Sequence, residues 1–139
     1  MAVISSTINF SDRGENDMVN VTEEVEAHIR ASGMNNGICN IFIAGATGGL
    51  IAIELEPGLR KDFPAMLERI ASKNMNYEHH KTWGDYNGHS HVRASLIGPS
   101  LTVPFRKGKL IHGTWQQLVF YEFDTQSRNR TLYLTIIGE

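Results

Sequence analysis

Four of the six histidines crowd into residues 79 to 91, in two short runs, Tyr77-Glu78-His79-His80 and Asn87-Gly88-His89-Ser90-His91. Neutral imidazole is a common transition-metal ligand, and it changes charge near neutral pH. One reading is therefore a metal set of His79, His89 and His91, with Glu54 as a carboxylate ligand and zinc or another transition metal as the ion. The other is that these histidines cap helices, bond carbonyls or line a subunit contact, because His-x-His alone carries little information. On either reading Asp85 and Asn87 make the segment a polar pocket. His28 and His112 stand apart as ordinary surface or strand residues.

Gly45-Ala46-Thr47-Gly48-Gly49 holds three glycines in five residues, and glycine costs unfolded-chain entropy. Successive N–H groups in such a bend can cradle an anion, and Thr47 adds a hydroxyl. Thr47, Gly48 and Gly49 are thus candidate phosphate contacts. No Lys-Ser/Thr pair follows, and the glycine spacing is wrong for a dinucleotide fingerprint. A tight turn between strands explains the glycines equally well.

Glu54, Glu56 and Asp62 come next, with Arg60 and Lys61 between. Mg²⁺ takes one or two carboxylates plus substrate oxygens, so acidic residues beside a phosphate-binding bend suit a magnesium–diphosphate site. Glu54, ending an apolar strand, is the stronger ligand candidate. Asp62 reads as a helix N-cap, a ligand or both, and Glu56 and Lys61 as solvent-facing charges. Arg128 and Arg130 read as solvated turn residues, although guanidinium is well shaped for phosphate. Trp115 reads as core or subunit packing and Gln116 as a possible amide contact. Cys39, among isoleucines, reads as a small buried hydrophobe.

The elements that must position these groups are mostly strands. Residues 2–10 and 18–21 read as strands. Thr22 reads as an N-cap with Glu23 and Glu24 in the first turn, Val25 and Ile29 share a face, and Ser32-Gly33 closes the helix. Gly37–Ala44 is a buried strand and Leu50–Glu54 another. Leu59, Phe63, Met66, Leu67 and Ile70 fall at helical spacing, with Asp62 as N-cap and Pro64 in the first turn. Lys73–Ser90 has no Leu, Ile or Val and reads as a long functional loop, followed by a short helix through Val92 and Leu96 that stops at Gly98. Leu101–Phe105 turns into Leu110–His112. Trp115–Phe123 and Thr131–Ile137 read as a hairpin around Thr125–Arg130. The fold class is α+β: one β-rich sandwich domain, residues 1–139, with two to three helices.

With 139 residues, 41% hydrophobic and 20% charged, the chain can bury a sizeable core. A net charge of −2 without a basic stripe argues against nucleic acid or an anionic membrane as partner. The N-terminal residues lack the pattern of a signal peptide and no apolar run reaches spanning length, so the cytoplasm is the expected address.

Taken together, Glu54 with Asp62, Tyr77-Glu78-His79, Ser90-His91-Val92, Gly98-x-Ser100, Val103-Pro104, Lys107-Gly108, Gly113-Thr114-Trp115-Gln116 and the closing Arg130 strand resemble the YjbQ-like family. The likeness runs over nearly the whole chain. It implies a sandwich-like α+β subunit assembled as a homotrimer, with sites near subunit contacts. It also implies a secondary thiamine-phosphate synthase, which joins hydroxymethylpyrimidine diphosphate to thiazole phosphate and releases pyrophosphate. The family's site residues carry over to Glu54, Asp62, His79 and His91, with Asn87 beside them. Many members have His-Thr-Thr where this chain has Gly45-Ala46-Thr47, so one histidine of the usual set is missing. The expected mechanism is then a transferase in which Glu54 and Asp62 hold Mg²⁺. The Gly45–Gly49 amides and a basic residue, Arg130, hold the diphosphate, and His79 and His91 meet the departing pyrophosphate. Its rival is a non-catalytic trimer that binds a metal or anion.

Overall fold

The computed structural model describes all of residues 1–139. In chain order the elements are β1 (Ala2–Ser11), β2 (Met18–Asn20), α1 (Thr22–Ser32), β3 (Asn36–Ile43), β4 (Gly48–Ile53), α2 (Leu59–Ile70), α3 (His79–Thr82), α4 (Gly88–Ile97), β5 (Ser100–Arg106), β6 (Lys109–Leu110), β7 (Gln117–Glu122) and β8 (Asn129–Gly138). Two antiparallel sheets form, ordered β1-β8-β3-β5-β6 and β2-β7-β4.

Strand alternation sends Ile41 and Ile43 of β3, and Leu132, Leu134 and Ile136 of β8, to the inner face of the larger sheet. There they meet Leu118 and Phe120 of β7 and the α1 stripe Val25 and Ile29. β7 is buried on both faces. Its other set, Val119 and Tyr121, together with Phe123 just beyond, packs with Leu67 of α2 and Ala94 of α4 in a second core. The layers are therefore large sheet, small sheet and the helices α2 and α4, with α1 packed into the core between the sheets. This is an α+β single domain with a sandwich at its centre.

Four details differ from the sequence expectation. Thr22 is the first helical residue rather than the cap: Asn20 Oδ1 accepts from the Thr22 N–H and hydroxyl, while Thr22 Oγ1 accepts from the Leu118 N–H. Asp62 is not an N-cap either. Glu56 curls over the start of α2 and accepts from the Gly58 and Leu59 N–H groups, so the helix begins earlier and Pro64 lies inside it. The Lys73–Ser90 loop is shorter than expected, because α4 starts at Gly88 and carries His89 and His91. Finally, β7 and β8 are not a hairpin. β8 finds β1 along ten residue pairs and β3 on its other edge, while β7 joins the small sheet between β2 and β4.

Candidate functional site

Where β4 begins, Gly48 pairs with Glu122, and the Phe123 N–H donates to the Thr47 carbonyl. That register sets Thr47 beside Asp124 and points Glu122 into the gap between the sheets. Arg130, near the start of β8, enters the same gap and grips Glu122 with two bonds, Nε to Oε1 at 3.0 Å and Nη2 to Oε2 at 2.6 Å. Both side chains are almost wholly buried, a setting in which a charge persists only when paired. Burial first, and then the neighbouring Asp12 carboxyl, push the Glu122 carboxyl up to about 7 against the pull of Arg130.

The polar chain continues from Arg130. Its Nη2 donates to Thr47 Oγ1 at 2.8 Å, so the Thr47 proton goes to Asp124 Oδ2 at 3.2 Å. Asp124 also accepts from the Asn87 amide, the Thr125 N–H and the Arg128 guanidinium. Burial alone would raise its pKa, but these donors together outweigh burial and hold the carboxyl below its ordinary value. Asn87 sits at the N-terminus of α4 without capping it by its side chain. Its Oδ1 instead lies 3.2 Å from His79 Nε2. Tyr86, just before it, takes left-handed backbone (φ 54°), uncommon for a bulky residue.

His79 and His91 stack at a tilt, ring centroids 4.4 Å apart. Burial, and then the His79 charge, lower the His91 pKa from its ordinary value. His91 forms one wall of a cleft of about 300 Å³ whose other wall is Gly45, Ala46 and Gly48. Under that bend, Arg130 Nη1 approaches so closely that a Cβ at Gly45 would come within 2.7 Å of it. Only glycine leaves the guanidinium this space. The cleft thus sets one imidazole, His91 with His79 stacked on it, opposite a glycine bend and a buried cation with an uncommitted Nη1, an arrangement suited to an oxyanion.

The profile described as UPF0047 protein YjbQ-like matches residues 6–139. A UPF0047 protein of Methanothermobacter thermautotrophicus is 35% identical over 123 residues, covering 88% of this chain and 84% of the relative. The UPF0047 protein YugU of Bacillus subtilis is 29% identical over 133 residues, covering 95% and 98%. This chain belongs to the YjbQ-like family. Among solved structures, a YbjQ-like protein of unknown function from Sulfolobus solfataricus P2 superposes with a TM-score of 0.88 at 30% identity, covering 99% of this chain and all of that one. A hypothetical protein from Aeropyrum pernix K1 gives 0.85 at 28%, with both chains fully covered.

Within this YjbQ-like chain the residues expected from sequence divide into two groups. Thr47, Asn87, His79, His91 and Arg130 come together, and Gly48 lines the same cleft. Gly49 packs toward Ile97 and Phe123 rather than into the cleft. His89 lies two residues from His91 on a helix, hence about 200° around it. It is fully buried and bonds Glu15 at 2.7 Å, so it leaves the expected metal set. Glu54 leaves it too: it lies past the other end of β4, seven residues from Thr47 and roughly 20 Å away at strand rise. There it borders a separate cavity with Trp115 and Thr114. Asp62 is exposed on α2. No three His, Cys, Asp or Glu side chains converge as a metal cage, and both oxygens of Asp124 are already taken. The residues of one chain therefore do not fit a protein-caged zinc or magnesium ion. Asp124 and Glu122 were missed from sequence. Glu122 had a signal, since a carboxylate inside the run Leu118–Phe123 must be buried and so needs a cation.

Proposed function

We propose that the His79–His91 cleft binds the phosphate groups of a phosphorylated small molecule and that the protein is a transferase of the thiamine-phosphate synthase type. The carrying observation is His91, with His79 stacked on it, facing the Gly45–Gly48 bend with Arg130 beneath that bend. In such a transfer the carbon–oxygen bond to the diphosphate breaks, and negative charge gathers on the departing pyrophosphate. His91 is held largely neutral in the free protein, so it takes up a proton as that charge arrives, and Arg130 supplies a permanent positive charge. Removing one such group costs about two to three orders of magnitude in rate.

The test is product formation from the two phosphorylated precursors. His91→Gln and His79→Gln each lose about a hundredfold or more in turnover, while Asp62→Asn, outside the cleft, stays within a few-fold of wild type. Wild type that forms no product while still binding pyrophosphate would favour the non-catalytic anion-binding reading.

A homotrimer is part of the proposal. Supporting it is the outer face of the large sheet, where Val3 and Ile38 flank Ile137 as its two pairing partners and Phe42 pairs with Tyr133, all uncharged and none covered by a helix. Val119 and Tyr121 on β7 take no part in this face, being buried under α2 and α4.

A further inference from the structure

We infer that Asp124 and Asn87 are positioning residues that fix the proton of His79 on Nε2, so that the nitrogen presented to the phosphorylated ligand is Nδ1. This deepens the reading of the cleft as a phosphate site, yet it rests on hydrogen-bond polarity within the free chain. Arg130 can only donate, so Thr47 Oγ1 accepts from it and spends its single proton on Asp124. Asp124 is ionised and accepts from every neighbour, Thr47, Thr125, Asn87 and Arg128. An ionised carboxylate offers no proton, so the Asn87 group facing it at 3.3 Å is the NH₂. The other end of that amide, facing His79 Nε2 at 3.2 Å, is then the carbonyl oxygen, which only accepts. Nε2 must carry hydrogen.

The same polarity is absent at the adjacent imidazole. His80 Nε2 accepts from the Gly88 N–H, which puts the proton of neutral His80 on Nδ1. Two neighbouring histidines thus hold opposite tautomers, each dictated by the N-terminal residues of α4. His79 Nδ1 has no partner in the chain, and the ring is only partly buried, so this nitrogen remains to meet a ligand. Neutral, it accepts a proton from a phosphate monoanion; protonated, it donates to a dianion.

Two-bond ¹⁵N–¹H correlation spectra of histidine-labelled protein at pH 8, with His79 assigned by loss of its peaks in His79→Gln, read the tautomer directly. The wild type is expected to show His79 wholly as Nε2–H. Asn87→Ala in an Asp85→Asn background removes both acceptors facing Nε2, the amide oxygen at 3.2 Å and the carboxylate at 3.8 Å, and should let Nδ1–H appear. Asp124→Asn leaves Asn87 free to turn its amide and should raise Nδ1–H further. A wild type in which His79 is Nδ1–H overturns the inference with no variant needed. So does an unchanged tautomer in either variant whose thermal transition remains cooperative. Titration with inorganic phosphate is read on the same sample. Unmoved His79 and His91 peaks would sink the phosphate reading while leaving the tautomer result standing.

Discussion

Protonation of Glu122 decides how firmly Arg130 is held under the Gly45 bend. Asp12 Oδ2 is buried without a partner, and a proton on Glu122 would supply one, which adds to burial in raising the Glu122 pKa. The sign for stability follows. The folded-state value, about 7, lies above the ordinary 4.5, so this contribution is full below about pH 4.5 and is lost as pH rises through 7. Relative to Glu122→Gln, wild type should lose on the order of 1–3 kcal/mol in urea unfolding between pH 5 and pH 8. A flat difference would mean that Glu122 does not titrate in that window. His91 works in the opposite sense, since burial keeps it neutral. Binding a phosphate dianion must then draw in a proton, and affinity for inorganic phosphate should rise as pH falls from 8 toward 6. Calorimetry in buffers of different ionisation enthalpy reads that uptake. An affinity that does not change with pH would exclude His91 from the contact.

At the scale of elements, what was legible is what alternation and periodicity encode. Strands β1, β3 and β5 and the start of α1 follow from apolar residues at spacing two or four and from Gly33, whose left-handed φ of 73° closes α1. What was illegible depends on distant partners. Nothing local says that Glu56 reaches over the start of α2, or that α4 extends back to Gly88. The second needs His80 to receive the Gly88 N–H and Tyr77 to press against a residue with no side chain. The same extension turned His89 away from His91, and a histidine pair that looked like one ligand set became a buried hydrogen-bond partner of Glu15 and a cleft wall. The cap is testable. Glu56→Ala should cost about 0.5–2 kcal/mol in chemical unfolding, as lost helix caps do, with the cleft unaltered. No loss of stability would show the Glu56 contacts to be incidental.

For the whole molecule, the large sheet keeps one face on the core and leaves the other bare, with Val3 64% and Tyr133 49% exposed. No helix is long and apolar enough to cross a membrane. The proposed trimer would cover this bare face. Light scattering should give a trimer at micromolar concentration, and Tyr133→Lys should yield monomer that still melts cooperatively; a wild-type monomer would remove the assembly. The family and the strand content were readable from the chain. The network Glu122–Arg130–Thr47–Asp124–Asn87–His79 was not, because it joins β7, β8, the bend before β4 and the start of α4, and only the folded register brings those together. If this network underlies an oxyanion cleft, calorimetric titration with pyrophosphate in chelator reads it most directly. Wild type should bind, and His91→Gln should weaken binding about 10- to 100-fold, the worth of one charge-assisted hydrogen bond. Absence of binding by wild type, or equal affinity in His91→Gln, would contradict the account.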